Sequence, residues 1–167
     1  ESKSRSIYKE LSENVKANVE IVLDTRGNLL QDNIHGNFFI KPNIHELRDM
    51  FNEKLETKEE IVKKCSFFLE RGVKNIIISR GGDGALLVNK DFVLEATVPE
   101  GELINSIGAG DSMVAGFIAG HVKGYSIEDS FRLAVASGSA TAYSYGLAEN
   151  ELVEKLYKEI KIIKEDV

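Results

Sequence analysis

The stretch INSIGAGDSMVAGFIAG, residues 104–120, places a carboxylate beside a turn that has almost no side chains. Gly108, Ala109 and Gly110 precede Asp111, and the apolar residues that follow have helical spacing. The first N–H groups of a helix lack internal partners, so a phosphate could approach this backbone closely, and Asp111 could take a proton from a hydroxyl that attacks the phosphate. The alternative is a glycine-rich helix start suited to tight packing, with Asp111 as a solvated first-turn residue.

Three other motifs do not fit the chain. A dinucleotide-binding fingerprint would need glycine where Met113 stands, and no Gly-Lys-Ser/Thr triplet exists for a P-loop. The stretch HELRD, residues 45–49, begins like a zinc-binding helix, but the second histidine would fall at Asp49. These three kinds of site are excluded.

The stretch FFIKPNIHEL, residues 38–47, reads as the end of a strand and the start of a helix. Asn43 at the N-cap and Glu46 three residues later are typical of a capping box, which needs no function. The same amide and carboxylate could instead hold the water shell of Mg²⁺ beside phosphates, with Lys41 adding positive charge. Both interpretations stay open on the sequence.

The stretch ISRGGDGALLV, residues 78–88, joins two predicted strands. Taken alone, it is a glycine turn with Asp83-Gly84 as the turn signal. However, all three stretches lie where strands end or helices begin, which is where open α/β sheets bind ligands. Their combination favours a binding site.

Short β-branched runs alternate with amphipathic segments along the chain, which predicts a mostly parallel sheet between two helical layers in one domain, residues 1–167. The predicted helices are 6–17, 27–34, 43–53, 58–71, 110–123, 127–143 and 149–158, and the predicted strands are 19–24, 38–41, 75–80, 84–89, 92–98 and a last strand in IKIIKE.

The charge pattern and the cysteine content narrow the function classes. The net charge of −6 comes from interspersed Glu and Lys, and no basic stripe interleaves with aromatic residues, so nucleic acid and anionic membranes are poor partners. Cys65 is the only cysteine and falls on an apolar helical face, which indicates a core position. With no predicted signal peptide or membrane span, a cytoplasmic location is expected.

Together the three stretches resemble the ribokinase or PfkB family of carbohydrate kinases, which implies a three-layer, Rossmann-like fold and the use of ATP and Mg²⁺. GAGD is similar to the family's C-terminal signature, which implies Asp111 as catalytic base and residues 108–110 as anion hole. NIHE is similar to its Asn-x-x-Glu motif, which implies that Asn43 and Glu46 organise the metal. The resemblance further implies nucleotide contacts for Lys41, Ser79, Gly81, Gly84, Pro99 and Val135.

Within the family, IKPN and NSIGAGDSMVAGF resemble the branch that phosphorylates ketohexose phosphates, 1-phosphofructokinases first and tagatose-6-phosphate kinases next. Arg26 and Arg80 depart from that branch, and each could alter the charge near the site or face solvent. The resemblance covers the C-terminal half of the family, so the N-terminal strands, the β lid and most of the sugar-binding part are expected to lie outside this chain.

The resemblance therefore implies the nucleotide-binding and catalytic half of a kinase that converts fructose 1-phosphate to fructose 1,6-bisphosphate. By itself this half is expected to bind ATP and Mg²⁺ weakly and to transfer little phosphate, because transfer also depends on positioning the acceptor. The rival interpretations are a non-catalytic nucleotide-binding module and a purely structural α/β fragment. An unpaired strand near residues 19–24 is expected to cause either homodimerisation or reduced stability.

Overall fold

The computed structural model describes residues 7, 8, 10–12, 14–16 and 18–167. Every element predicted from residue 19 onward is present, whereas the helix predicted for residues 6–17 lies partly outside the described residues. In chain order the elements are β1 (Val22–Leu23), α1 (Asn28–Asp32), β2 (Phe39–Ile40), α2 (Ile44–Phe51), α3 (Lys58–Leu69), β3 (Asn75–Ser79), a 3-10 turn (Gly81–Asp83), β4 (Ala85–Val88), β5 (Phe92–Ala96), α4 (Ala109–Val122), α5 (Ile127–Ala142), α6 (Asn150–Glu159) and β6 (Ile162–Asp166).

The strands form one six-stranded sheet in chain order, β1 to β6. β1 pairs in parallel with β2, and β2 pairs in parallel with β3, with Val22 opposite Phe39 and Ile40 opposite Ile76. The short connection between β4 and β5 makes that pair antiparallel, because parallel neighbours need a long crossover. The connection between β3 and β4 is also short, so that pair is antiparallel as well. β5 and β6 run antiparallel too, because the Thr97 N–H donates to the Lys161 carbonyl oxygen and the Val167 N–H donates to the Asp91 carbonyl oxygen. The sheet is therefore mixed, with more antiparallel pairing than the sequence predicts.

Contacts divide the chain into two compact units. The first unit comprises residues 1–78, 88–92 and 167, and the second comprises residues 79–87 and 93–166. In the described part of the chain, no helix combines the length and the apolar character needed to cross a bilayer. The single-domain interpretation of residues 1–167 stays a prediction.

The first unit has an apolar core under α2 and α3. Phe51, Phe67 and Phe68 meet edge to face, with ring centroids 5.4–6.3 Å apart, which is a favourable aromatic geometry. Cys65, two residues before Phe67 in the chain, is completely buried. Burial raises the pKa of its thiol to about 12. The prediction that Cys65 is a core residue is therefore confirmed.

The second unit is organised around the close approach of α4 and α5. A Cβ atom at Gly116 would lie 2.6 Å from Ser137 Oγ and 2.8 Å from the Leu133 carbonyl oxygen. One helical turn later, a Cβ at Gly120 would lie 2.8 Å from Ser130 Cα. The two glycines thus let the helix backbones meet at distances that a side chain would prevent. This contact fixes the direction of α4 and, with it, the position of its first turn.

Candidate active site

The turn that opens α4 leaves backbone donors available to a ligand. Gly108 is the N-cap and has φ +79°, a left-handed conformation that glycine adopts without strain. The Ala109 N–H lies 3.3 Å from the Ser106 carbonyl oxygen. Among the described residues, the N–H groups of Gly110 and Asp111 have no hydrogen-bond partner. Two adjacent unpaired donors at a helix N-terminus favour the binding of an anion.

The Asp111 side chain lies beside these donors and is exposed. Its carboxylate forms no hydrogen bond or ion pair with any residue that the structure describes. An exposed, unpaired carboxylate can accept a proton from a hydroxyl that lies within hydrogen-bond reach. The geometry is compatible with the predicted role of a general base, which stays a prediction.

The last turns of α5 support the segment that leads into α4. The Ala142 carbonyl oxygen accepts hydrogen bonds from the Ile104 N–H at 2.9 Å and from the Asn105 N–H at 3.1 Å. A Cβ at Gly138 would lie 3.1 Å from the Ala109 carbonyl oxygen, so α5 approaches the first turn of α4 directly. Sequence reasoning did not single out these residues. The signal was the run of small residues in ASGSATA, residues 136–142, which allows this close approach.

The glycine loop after β3 is a tight turn held by its own backbone. The Arg80 N–H donates to the Gly84 carbonyl oxygen at 2.8 Å, and the Gly84 N–H donates to the Gly81 carbonyl oxygen at 3.1 Å. Gly84 has φ +82°, and a Cβ there would lie 2.1 Å from the Ala96 carbonyl oxygen. Glycine is therefore required at this position. The predicted nucleotide contacts of Ser79, Gly81 and Gly84 stay predictions.

Arg26 and Arg80, the two arginines that depart from the pattern of the branch, have different surroundings. The Arg26 side chain is exposed. Arg80 retains 14% of its side-chain exposure, and its Nη2 atom donates to Glu95 Oε1 at 2.7 Å. Arg80 Nε is buried without a hydrogen-bond partner among the described residues. The expectation that Arg80 faces solvent is therefore wrong. Its hydrogen bond to Glu95 connects the glycine loop to β5.

Pro99 and Val135, the predicted adenine contacts, are both buried. The Pro99 carbonyl oxygen accepts a hydrogen bond from the Tyr143 hydroxyl at 2.8 Å. Burial raises the pKa of Tyr143, and the negative charge of Glu159 raises it further. Val135 is 2% exposed within α5, so it offers little surface to a ligand in this conformation. Their contact with a nucleotide stays a prediction.

Lys41 belongs to the first unit and immediately follows β2. It is 9% exposed, and its ammonium group has no ion pair or hydrogen bond with the described residues. Burying much of a lysine without an anionic partner is costly, unless water or a ligand oxygen meets the charge. This observation agrees with the predicted position of Lys41 near phosphates.

Asn43 and Glu46 form the predicted capping box at the start of α2. The Asn43 N–H donates to Glu46 Oε2, and the Glu46 N–H donates to Asn43 Oδ1, both at 2.9 Å. Glu46 Oε1 is not used in the box. Among the described residues, no group of three or more His, Cys, Asp or Glu is arranged to hold a metal directly. The residues present therefore suit an ion held through water, as Mg²⁺ often is.

The candidate residues are divided between the two units. The Gly108–Asp111 turn, the Ser79–Gly84 loop, Pro99 and Val135 belong to the second unit. Lys41, Asn43 and Glu46 belong to the first. The Gly108–Asp111 turn and the glycine loop are thus elements of one compact unit.

Two curated proteins are similar in sequence to most of this chain. A 1-phosphofructokinase of Bacillus subtilis is 44% identical over 159 residues, which is 94% of this chain and 52% of that protein. A D-tagatose-1-phosphate kinase of Bacillus licheniformis is 35% identical over 159 residues, which is 93% of this chain and 52% of that protein. The chain thus spans about half the length of these relatives.

Solved structures share the fold. Phosphofructokinase-2 of Escherichia coli, solved in complex with substrates and products, superposes with a TM-score of 0.84 at 25% identity, covering 92% of this chain and 51% of that one. Ribokinase of Arabidopsis thaliana, complexed with ribose and ATP, superposes with a TM-score of 0.81 at 26% identity, covering 92% and 53%. These similarities confirm the predicted ribokinase-like α/β fold. The family described as pfkB family carbohydrate kinase matches residues 4–154. This chain therefore belongs to the pfkB family of carbohydrate kinases.

Proposed function

We propose that this chain supplies the nucleotide-binding and catalytic part of an ATP-dependent sugar-phosphate kinase that converts fructose 1-phosphate to fructose 1,6-bisphosphate. The proposal rests on the first turn of α4, where two unpaired N–H groups adjoin the unpaired carboxylate of Asp111. The choice of acceptor is supported by the similarity to a protein named 1-phosphofructokinase. A cytoplasmic location is part of the same proposal.

In the proposed reaction, the acceptor hydroxyl gives its proton to the Asp111 carboxylate as its oxygen bonds to the γ-phosphorus of ATP. The bond between that phosphorus and the β–γ bridging oxygen breaks, and ADP leaves. The N–H groups of Gly110 and Asp111 stabilise the negative charge on the transferred phosphoryl group, because they point at it without reorganising. Positioning and charge stabilisation therefore account for most of the expected catalysis.

Three residues of the first unit are proposed to act on the phosphates. Mg²⁺, when bound, neutralises phosphate charge. Glu46, through its unused carboxylate oxygen, and Asn43, through its side-chain amide, are the groups that would hold the water shell of the ion. Lys41 would place its unpaired ammonium beside the phosphate oxygens. Glu46 would use the carboxylate oxygen outside the capping box, whereas Asn43 would use the second lone pair of Oδ1, which already accepts from the Glu46 N–H.

A second acceptor is favoured by one observation, the similarity to a protein named D-tagatose-1-phosphate kinase. Tagatose and fructose differ in the configuration of one hydroxyl-bearing carbon, so the chemistry of transfer is the same for both. Turnover measured in parallel with fructose 1-phosphate, tagatose 1-phosphate and tagatose 6-phosphate would rank the acceptors. If kcat/KM is higher for either tagatose phosphate than for fructose 1-phosphate, that tagatose phosphate becomes the proposed acceptor.

The substitution Asp111→Asn tests the proposed chemistry. Because asparagine cannot accept the proton, we expect phosphoryl transfer to fall about 10²- to 10⁴-fold. Calorimetric affinity for a non-hydrolysable ATP analogue with Mg²⁺ should change less than about threefold, because ground-state binding uses mainly backbone donors. Asp91→Asn, which alters an exposed carboxylate in the β4–β5 connection, is the matched control and should leave both quantities unchanged.

Three results would contradict the proposal in different ways. Nucleotide binding without any transfer, once the N-terminal half expected outside this chain is supplied, would indicate a non-catalytic nucleotide-binding module. An unchanged rate of phosphoryl transfer in Asp111→Asn would show that Asp111 is a residue of the first helical turn and not the general base. Absence of nucleotide binding would indicate a structural role for these residues.

A further inference from the structure

We propose that Thr141 is a positioning residue, whose buried hydroxyl holds the first turn of α4 in place and connects it to the loop after α5. Thr141 lies outside every motif of the family resemblance, whereas its partner Ser112 belongs to the stretch NSIGAGDSMVAGF. Its effect on phosphoryl transfer rests on the proposed function, whereas its effect on the turn itself does not.

Thr141 lies in the last turn of α5 and is 2% exposed. Its hydroxyl donates to Ser112 Oγ at 2.8 Å, and Ser112 directly follows Asp111. The same hydroxyl accepts from the Ala148 N–H at 3.4 Å. The Thr141 methyl group would be 3.9 Å from a Cβ at Gly108, so it lies beneath the left-handed N-cap. One side chain therefore forms a hydrogen bond at the end of the Gly108–Ser112 turn and lies near its beginning.

The position of Ser112 determines the position of the proposed anion site, because both belong to the same helical turn. The Ser112 N–H donates to the Gly108 carbonyl oxygen at 2.8 Å and closes the first hydrogen-bonded turn of the helix. Within that closed turn lie the unpaired N–H groups of Gly110 and Asp111. If Ser112 shifts, these donors and the Asp111 carboxylate shift with it. Because catalysis depends on geometry within fractions of an ångström, even a small displacement is expected to slow transfer.

The Thr141 hydroxyl differs from a hydroxyl that merely fills space in the same interface. Ser130 also lies on α5, is completely buried and contacts α4 at Gly120. Its Oγ has no hydrogen-bond partner among the described residues. A buried hydroxyl without a partner contributes nothing to positioning, whereas one with two partners is costly to remove. Ser130→Ala is therefore a matched control for changes at Thr141.

The first experiment compares Thr141→Val, Thr141→Ser and Ser130→Ala in steady-state transfer from ATP to fructose 1-phosphate, each in a protein that also contains the N-terminal half expected outside this chain. Valine has nearly the same shape as threonine but no hydroxyl, and we expect kcat to fall about tenfold or more with KM for ATP changing less than about threefold. Thr141→Ser keeps the hydroxyl and should stay within about threefold of wild type. Ser130→Ala should match the wild type. Equal rates for Thr141→Val and Ser130→Ala would overturn the inference.

The second experiment does not depend on enzymatic activity. Amide hydrogen exchange of Ser112 and Ala148 is measured by NMR in the wild-type chain and the variants. Loss of the hydroxyl should speed exchange at both amides about tenfold or more in Thr141→Val, with recovery in Thr141→Ser. Unchanged exchange at both amides would overturn the inference. An inactive wild-type protein, with the N-terminal half supplied, would contradict the proposed function alone, since exchange still decides the role of Thr141.

If Thr141→Val does not fold, Ser112→Ala removes the same hydrogen bond from the other partner. Because Ala148 keeps its bond to Thr141 in that variant, only the Ser112 amide should exchange faster, with a similar fall in kcat. A kcat equal to that of the wild type would contradict the proposed positioning role.

Discussion

Asn43 and Glu46 form a helix cap, and the proposed function gives the same pair a second role in holding a ligand. Each residue gives one oxygen to the capping box, and Glu46 keeps a second carboxylate oxygen for other contacts. α3 begins with an equivalent box, in which Thr57 and Glu60 exchange the same two kinds of hydrogen bond. Hydrogen bonds from the Thr57 and Glu56 backbone lower the pKa of Glu60. The two boxes differ in that the proposed function gives a ligand role to the first alone.

The substitution Glu46→Gln should separate these two roles. Glutamine retains an oxygen for the cap, so the melting temperature should change little. It removes the negative charge proposed to organise the metal's water shell, so Mg²⁺-dependent binding of an ATP analogue should weaken about tenfold. Calorimetry with and without Mg²⁺ measures this effect.

Glu60→Gln is the control, because it makes the same change in a capping box without a proposed ligand. It should leave nucleotide affinity unchanged. Equal losses of affinity in both variants, or none in Glu46→Gln, would show that the Asn43–Glu46 pair is a helix cap and nothing more.

At the scale of elements, the helices differ in whether an N-cap side chain accepts a hydrogen bond from the first backbone N–H groups. α2, α3 and α5 begin with side-chain caps from Asn43, Thr57 and Ser126. α4 begins at Gly108 with no side-chain cap, and α1 and α6 also begin without one. A capping side chain would occupy the space and the donors that an anion needs. The missing cap is therefore consistent with a ligand-binding helix start, and the close contact between α4 and α5 holds that start in place.

The substitution Gly116→Ala tests that contact between helices. The added methyl group would lie 2.6 Å from Ser137 Oγ and 2.8 Å from a backbone oxygen, so α4 and α5 must separate. We expect a loss of about 1–3 kcal/mol in the free energy of unfolding, measured by urea denaturation. Gly82→Ala is the control, because a Cβ there meets nothing within 4 Å. If both variants were equally stable, the close helix contact would not contribute to folding.

At the scale of the whole molecule, the two ends of the sheet order differ in charge. β6 carries Lys164, Glu165 and Asp166, and charged side chains discourage pairing at a strand edge. β1 consists of Val22 and Leu23 and has no charged residue. β1 stands at the other end of the strand order found among the described residues. We propose that homodimerisation of this chain, where it occurs, uses β1.

Light scattering over a range of protein concentrations tests this proposal. We expect the apparent mass to rise with concentration, and Val22→Lys to shift the protein toward monomer by placing a charge on the edge strand. Ile163→Lys, on the already charged β6, should have no effect. A monomer at every concentration, or equal effects of the two lysines, would exclude association through β1.

The amino-acid sequence by itself determined the elements and the positions of the three motifs. Glycine turns, capping residues and apolar periodicity act over a few residues, so they are readable without knowing which segments meet. The starts of α2 and α3 and the turn at Gly84 follow from such local signals. The family resemblance then added roles for individual residues, and these await the experiments described above.

Only the tertiary structure decided which polar groups remain available and which are used. Arg80 and Glu95 are 15 residues apart in sequence, and Thr141 and Ser112 are 29 apart, so no local pattern pairs them. The unpaired state of the Gly110 and Asp111 N–H groups likewise depends on which segments surround the turn. The physical reason is that a hydrogen bond forms between neighbours in space, and long-range packing of the chain selects those neighbours.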